Sequence, residues 1–420
     1  MTRPCLTPFT RRFSFVRLAL PVLAGALAAT FPATAPALGQ QEDLQALLSA
    51  PVGIERAAPV SGVPFQTRVR KFYLDASVNG ETHEFIFDTG SPTILSRQLA
   101  DALGLEIVGR NTGRDANGTP VTMDFAIIDR LTLGDVTFTR VPVLIHDFSG
   151  LATGACLIDG GVIGSEILPG SAWRIDAAAG RLEIAESAAA LAPLETALSA
   201  PLHDFGYPHA PVLDYALGEI ADKALFDTGS EEEVVLFHEV ADSRPARAHI
   251  VRGSVVIGEG NEGESAGGRS ENRELVRFSL EDFRIGVTSP GPVRATTRAA
   301  PPSLVGAGMT DRFIVTLDYP GAAFTLSPRD APAPERVEPG FALAFAGDGV
   351  EVVQVFQGSP ADEAGLRLGD RVTAIDGRAL RSDGCEDVLW LMSEYSEADG
   401  GALTVDRGGE AVVIEVPPVR

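Results

Sequence analysis

One pentapeptide occurs twice in this chain: Phe87-Asp88-Thr89-Gly90-Ser91 and Phe226-Asp227-Thr228-Gly229-Ser230 are identical. With each residue type near ~5% of usage, a given pentapeptide recurs by chance at roughly one position in a few million. The flanks extend the match. An apolar run with a turn signal precedes each copy, Asn79-Gly80 in the first and Leu217-Gly218 in the second. A hydrophobic-hydrophobic-Gly segment follows each, Val162-Ile163-Gly164 and Leu304-Val305-Gly306, with the glycines 76 and 79 residues beyond their Asp. Twelve residues further on, Asp176 and Asp318 each close an apolar strand. Two copies of one folding unit therefore occupy most of the chain.

The pattern within each copy is that of strands. Residues 72–78 and 84–87 are apolar-rich and joined at Asn79-Gly80, a favoured hairpin turn. The hairpin leads into Asp88, and Gly90 lets the backbone turn where a Cβ would clash. Ser96 is a candidate N-cap for a helix reaching Leu103. Asn117-Gly118 signals a second hairpin, and strands are predicted at 125–133, 136–145, 173–176 and 182–184. An Ala-rich connector, 185–200, leads to the second copy, with strands at 212–217, 220–226 and 313–318. Residues 258–274 are Gly- and Glu-rich and predict a flexible loop or flap. Their Gly258-x-Gly260-x-x-Gly263 spacing does not mark a dinucleotide site: no helix pattern follows, and Glu259, Glu262 and Glu264 repel phosphate.

These motifs, in this order, resemble the aspartic peptidases, in a bilobal single-chain form of retropepsin-like lobes, over roughly residues 60–328. The resemblance implies a mainly β fold of two homologous acid-protease-like β lobes forming a cleft, lobe one at 59–192 and lobe two at 193–328. It implies Asp88 and Asp227 as a catalytic pair. Two carboxyls about 3 Å apart hold one proton between them, so one acts as base toward water and the other as acid. Thr89 and Thr228 would cross-link the two loops through backbone hydrogen bonds, Gly90 and Gly229 complete the loops, and Ser91 and Ser230 would bond the outer carboxylate oxygens. Asn117 and Gly118 fall where the family has a flap over its cleft. Glu231 and Glu232 fall where retroviral peptidases place acids that meet substrate backbone. The expected partner is a polypeptide substrate, with no metal and no cofactor. The alternative is a non-catalytic module on the same fold that binds peptides or envelope proteins.

Pro328, Pro332, Pro334 and Pro339 mark a stiff linker at 329–339, which implies an independent unit beyond it. Residues 340–420 follow their own pattern. A strand at 350–356 precedes Ser359-Pro360-Ala361-Asp362, a helix start with Ser as N-cap and Pro in the first turn, and a strand at 372–375 follows. This stretch resembles a small α+β PDZ domain of the bacterial type. Gly340-Phe341-Ala342-Leu343 sits where that family has its carboxylate-binding loop. The resemblance implies a groove for a peptide end or an extended strand.

At the other end, Arg3, Arg11, Arg12 and Arg17 flank an apolar run that reads as a secretory signal over 1–39, followed by a leader over 40–58. Export to the periplasm or beyond the cell follows. An uncleaved membrane anchor is the alternative, although the run falls short of the ~18 residues a span needs. The formal charge is −23, and losing four Arg and no acid takes it to −27. Nucleic acid and anionic lipid are poor partners for such a chain. The six His show no paired ligand spacing, and there is no Gly-x-Ser-x-Gly elbow. The mature chain holds Cys156 and Cys385, which fall in different predicted domains, so two free thiols are expected.

Overall fold

The computed structural model describes residues 46–330, 337–346, 349–381 and 385–419. The predicted signal, the start of the leader and the centre of the Pro-rich linker, Pro332 and Pro334 included, lie outside the described residues. No helix among those described is long and apolar enough to cross a membrane.

Each sequence copy folds into the same interlace. In the first, Lys71–Val78 pairs antiparallel with Glu81–Phe87. Their turn places Asn79 and Gly80 at φ 49° and 99°, the mirror-image turn whose twist suits a two-residue hairpin. Ile94–Ser96 follows the Asp88 loop, and Ser96 caps the helix Arg97–Ala102 by accepting from the Leu99 N–H. Gly161–Ile163 then threads between them, parallel to Glu81–Phe87 and antiparallel to Ile94–Ser96. In the second copy Val212–Leu217 pairs with Ile220–Asp227. Ser303–Gly306 runs parallel to Ile220–Asp227 and antiparallel to Val234–Phe237. The duplicated hydrophobic-hydrophobic-Gly segments thus become the central strands beneath the duplicated Asp loops.

A shared sheet joins the copies. Ala172–Asp176 pairs antiparallel with Phe313–Asp318, and each is also a hairpin arm, with Arg181–Ala185 and Ala323–Pro328 respectively. Val60–Pro64 and Leu198–His203 flank these hairpins. One apolar core runs through both copies and includes Phe87, Phe138, Trp173, Phe226 and Phe324. Trp173 stacks on Phe87 and Phe138 with centroids 5.9 and 5.8 Å away. Its indole N–H is satisfied by the Leu168 carbonyl at 3.0 Å, so this large ring is buried without an orphaned donor.

The C-terminal segment has its own core, built on Phe341, Phe345, Val352, Leu391 and Leu403. Phe341–Ala346 and Gly349–Phe356 form a hairpin, and Ser359 caps the helix Pro360–Glu363. The linker composition predicts an independent unit, but the structure ties this segment to both copies. Val256–Gly260 pairs antiparallel with Gly349–Phe356, at Gly258↔Phe356 and Gly260↔Gln354. The Gln354 amide donates to the Asn261 carbonyl at 2.8 Å, and the Arg277 guanidinium lies 4.0 Å over the Phe356 ring. Residues 258–274, predicted as a flexible loop, instead supply this strand and a small hairpin of Glu264–Ser265 and Gly268–Arg269. An edge strand gains its order from the neighbour that pairs with it, which composition alone does not report.

The expectation of two free thiols is overturned. Cys156 and Cys385 form a disulfide with their Cα atoms 5.2 Å apart. The helix Gly154–Leu157 packs Cys156 and Leu157 against the C-terminal core, which brings the helix Cys385–Ser393 within reach. Reduction should lower unfolding free energy by about 2–4 kcal/mol, read from denaturant midpoints with and without dithiothreitol. Equal midpoints would show that the bridge constrains nothing.

Candidate active site

The site is assembled from two buried threonines. Thr89 and Thr228 are each 0% exposed. The Thr89 N–H donates to Thr228 Oγ1 at 3.0 Å, and the Thr228 N–H donates to Thr89 Oγ1 at 3.1 Å. Each hydroxyl then donates to the carbonyl just ahead of the opposite loop: Thr89 Oγ1 to Phe226 O at 2.8 Å, Thr228 Oγ1 to Phe87 O at 2.9 Å. Only a hydroxyl can accept and donate in this way from so short a side chain.

Asp88 and Asp227, one residue ahead of the threonines, are brought face to face at a partly exposed surface. Their carboxyls share a hydrogen bond. Gly90 N–H donates to Asp88 Oδ1 at 2.9 Å and Gly229 N–H to Asp227 Oδ1 at 2.8 Å. A Cβ on Gly90 would collide with the Asp227 carboxyl, and one on Gly229 with that of Asp88. The glycines are therefore required by the approach of the opposite carboxylate. Burial pushes the Asp88 pKa well above the ordinary carboxylate range. The Asp227 charge and the hydrogen bond to Asp227 add to the rise, while Lys71 and the Gly90 N–H oppose it. Lys71 has no motif around it, and the sequence reading passed over it. Its Nζ donates to the Gly229 carbonyl, bridging the first copy to the second loop.

The central strands brace both loops. Gly164 N–H donates to Thr93 Oγ1 at 3.0 Å, and Thr93 in turn gives its N–H and hydroxyl to the buried Glu166 carboxyl at 2.7 and 2.8 Å. Burial raises Glu166 to about 7. In the second copy Gly306 N–H donates to Glu233 O at 3.0 Å and Ala307 N–H to Ser230 O at 2.8 Å. The Glu233 side chain is buried against Arg312 at 2.9 Å.

Several predicted contacts differ. The Ser91 hydroxyl donates to Pro92 O at 2.8 Å, not to Asp88. Among the described contacts the Ser230 hydroxyl does not reach Asp227 either. In both loops the glycine N–H supplies the hydrogen bond to the carboxylate. Asn117 does not present its amide to a ligand: the group donates to Gly263 O at 3.3 Å and Gly268 O at 3.2 Å. Gly118, at φ 80°, completes that turn. Asp115 Oδ2 accepts the Gly267 N–H at 2.9 Å, so the turn at 115–119 meets the Glu264–Arg269 hairpin tip to tip. Arg298 fixes where they meet. It donates to Ala116 O at 2.8 Å, and burial lowers its pKa against the charges of Asp227 and Glu262. Glu231 pairs with Arg70 at 3.2 Å. Burial, with the charges of Glu231 and Glu338, raises Glu232 to about 7. At the C-terminal segment, Gly340 has φ 75° and its carbonyl accepts the Phe356 N–H at 2.8 Å. The side chains of Phe341 and Leu343 are core, 1% and 6% exposed, and Ala342 is half-buried. What this stretch offers a ligand is therefore backbone. No group of three or more His, Cys, Asp or Glu among the described residues is arranged to hold a metal.

Residues 74–167 match the family model described as aspartyl protease, and residues 328–417 match the PDZ domain model. The chain carries an aspartyl-protease-like segment and a PDZ domain. The protease match includes Asp88 and Gly164. The second loop is joined to it by the threonine hydrogen bonds. The PDZ match starts ahead of Gly340, within the Pro-rich stretch. A search of curated proteins finds no match. Among solved structures, the aspartic proteinase from Irpex lacteus is similar at 11% identity and TM-score 0.41, over 66% of this chain and 100% of that one.

Thr89→Val or Thr228→Val keeps the shape and removes the hydroxyl from the lattice. Each should cost about 1–3 kcal/mol of stability, measured by denaturant unfolding, and an unchanged midpoint would deny the lattice its role. Lys71→Met removes a positive charge that holds the Asp88 pKa down. The alkaline limb of any dyad-dependent activity should then move up by on the order of one pH unit. A limb that stays put or moves down would separate Lys71 from the dyad.

Proposed function

We propose that the chain is an exported aspartic endopeptidase that hydrolyses polypeptides with a water activated between Asp88 and Asp227. The observation that carries this reading is the paired approach of the two carboxyls, which share a hydrogen bond. Like charges this close oppose double ionisation, the established behaviour of aspartic protease dyads. In the proposed reaction the ionised carboxylate takes a proton from water, and oxygen attacks the scissile carbonyl carbon. The protonated carboxyl gives its proton to the carbonyl oxygen, and a neutral tetrahedral diol results. The diol collapses when the carboxyl that took the water proton passes it to the amide nitrogen, the other carboxylate takes a diol hydroxyl proton, and the carbon–nitrogen bond breaks. The turn at 115–119 and Arg298, beside Asp227, favour a substrate lying beneath that turn.

The PDZ domain is proposed to recruit an unfolded or extended stretch of the substrate or a partner. Export is supported by the basic and apolar N-terminal sequence and by the Cys156–Cys385 bridge, since such bridges persist in oxidising compartments. Membrane attachment enters this proposal only through an uncleaved signal.

The test is the chain from residue 40 onward, incubated with unfolded casein with and without a statin-type inhibitor. Asp88→Asn and Asp227→Asn should each reduce hydrolysis by about 10²–10⁴-fold with an unchanged circular dichroism spectrum. Turnover retained in either variant would place the chemistry elsewhere.

A further inference from the structure

Among the described residues, the strand Phe341–Ala346 pairs with Gly349–Phe356 along one edge only. Val352, opposite Leu343, sends its N–H to Asp370 O at 2.9 Å and receives the Gly369 N–H at 2.8 Å, both on the far side. Leu343 and Phe345 therefore turn their backbone groups to the other edge. There they are met by side chains. The Leu343 N–H is accepted by the Glu397 carboxyl at 3.4 Å, and Phe345 O is taken by the Arg269 guanidinium. Glu397 belongs to the PDZ domain, but Arg269 comes from the second protease copy.

Arg269 ends the hairpin that grips the turn at 115–119. Its chain neighbour Gly268 gives its carbonyl to Asn117, and Gly267 gives its N–H to Asp115. The same turn holds Arg298, which feels the charge of Asp227. Two adjacent residues thus tie the PDZ edge on one side and the active-site turn on the other.

We infer that Arg269 is an autoinhibitory plug on the groove proposed above: an extended strand entering along the outer edge of Phe341–Ala346 must displace it, and this loosens the Glu264–Arg269 hairpin and the 115–119 turn it holds. The occupant follows from the backbone pattern. One N–H and one C=O, two residues apart on a strand edge, are satisfied together by a neighbouring strand and only singly by side chains. The exchange does not strand a charge, because Glu351 lies 4.0 Å from the Arg269 guanidinium and remains its partner. The exchange itself is independent of catalysis; its effect on hydrolysis rests on the proposed peptidase reading.

The experiment uses the chain from residue 40 onward carrying Asp88→Asn, so that nothing is cut. The probe is a fluorescein-labelled hexapeptide of alternating valine and threonine, read by anisotropy, with deuterium uptake followed at 115–119 and 263–268. Arg269→Ala should tighten peptide binding about tenfold and raise uptake in both segments without peptide; Arg269→Lys should fall between. In the chain that keeps Arg269, adding peptide should raise uptake in the same two segments. That arm decides the matter even if Arg269→Ala folds poorly. Unchanged affinity in a folded Arg269→Ala chain, or uptake at 115–119 that ignores peptide, would overturn the inference. With Asp88 restored, Arg269→Ala should raise kcat/KM for short peptides. Absence of all hydrolysis there, with the exchange intact, would count against the peptidase reading and not against the exchange.

Discussion

Four hydrogen bonds hold the two Asp loops together, two between Thr89 and Thr228 and one from each threonine hydroxyl to the Phe carbonyl ahead of the opposite loop, and the geometry of the carboxyl pair depends on them. Both residues are fully buried, so a donor or acceptor left unpaired there bears its whole desolvation cost. Each threonine satisfies the other copy's backbone, and neither loop is complete alone. The duplication in the sequence is therefore a physical requirement of the site. What the lattice opposes is the cost of burying two carboxyls side by side: burial first, and the Asp227 charge after it, raise the Asp88 pKa. The shared sheet and the Trp173 core supply the rigidity against which that repulsion is held.

Identical loops do not make an identical pair of carboxyls. Phe72 stands opposite Phe87 in the first hairpin, with Lys71 just before it. In the second, Pro211 O accepts the Phe226 N–H at 2.8 Å, so Ala210 stands where the first copy has Lys71. One copy therefore places an ammonium at the dyad and the other a methyl. Arg298, contributed by the second copy alone, adds a cation near Asp227. The acids after the second motif do not form a free acidic patch: Glu231 faces Arg70, and Glu233 is buried against Arg312. Charge differences outside the pentapeptide thus make the surroundings of the two aspartates unequal.

The PDZ domain is joined to the second copy by a strand pairing and side-chain contacts, and to the first by a disulfide. Residues 256–274 lie between the domain and the turn at 115–119. At Gly258 and Gly260 glycine is required by a close strand: a Cβ there would run into the Val355 and Val353 carbonyls, and one on Gly267 would meet the Asp115 and Thr119 side chains. Glycine content that reads as flexibility in isolation here permits contact on both sides.

By itself the sequence determined what is local or repeated. Strand periodicity, the Asn79-Gly80 turn, the Ser96 and Ser359 caps and the order of PDZ elements depend on neighbours within a few residues, and the structure keeps them. The repeated pentapeptide also declared that two Asp loops exist, because duplication is visible without coordinates. Only the tertiary structure decided which groups meet across long separations. It joined Cys156 to Cys385 across 229 residues, turned Ser91 toward Pro92, set Lys71 beside the opposite loop and laid Arg269 on the PDZ edge. None of these has a sequence signature. A strand edge, a carbonyl or a thiol acquires a partner from the packing of distant elements, and residue type alone does not say which.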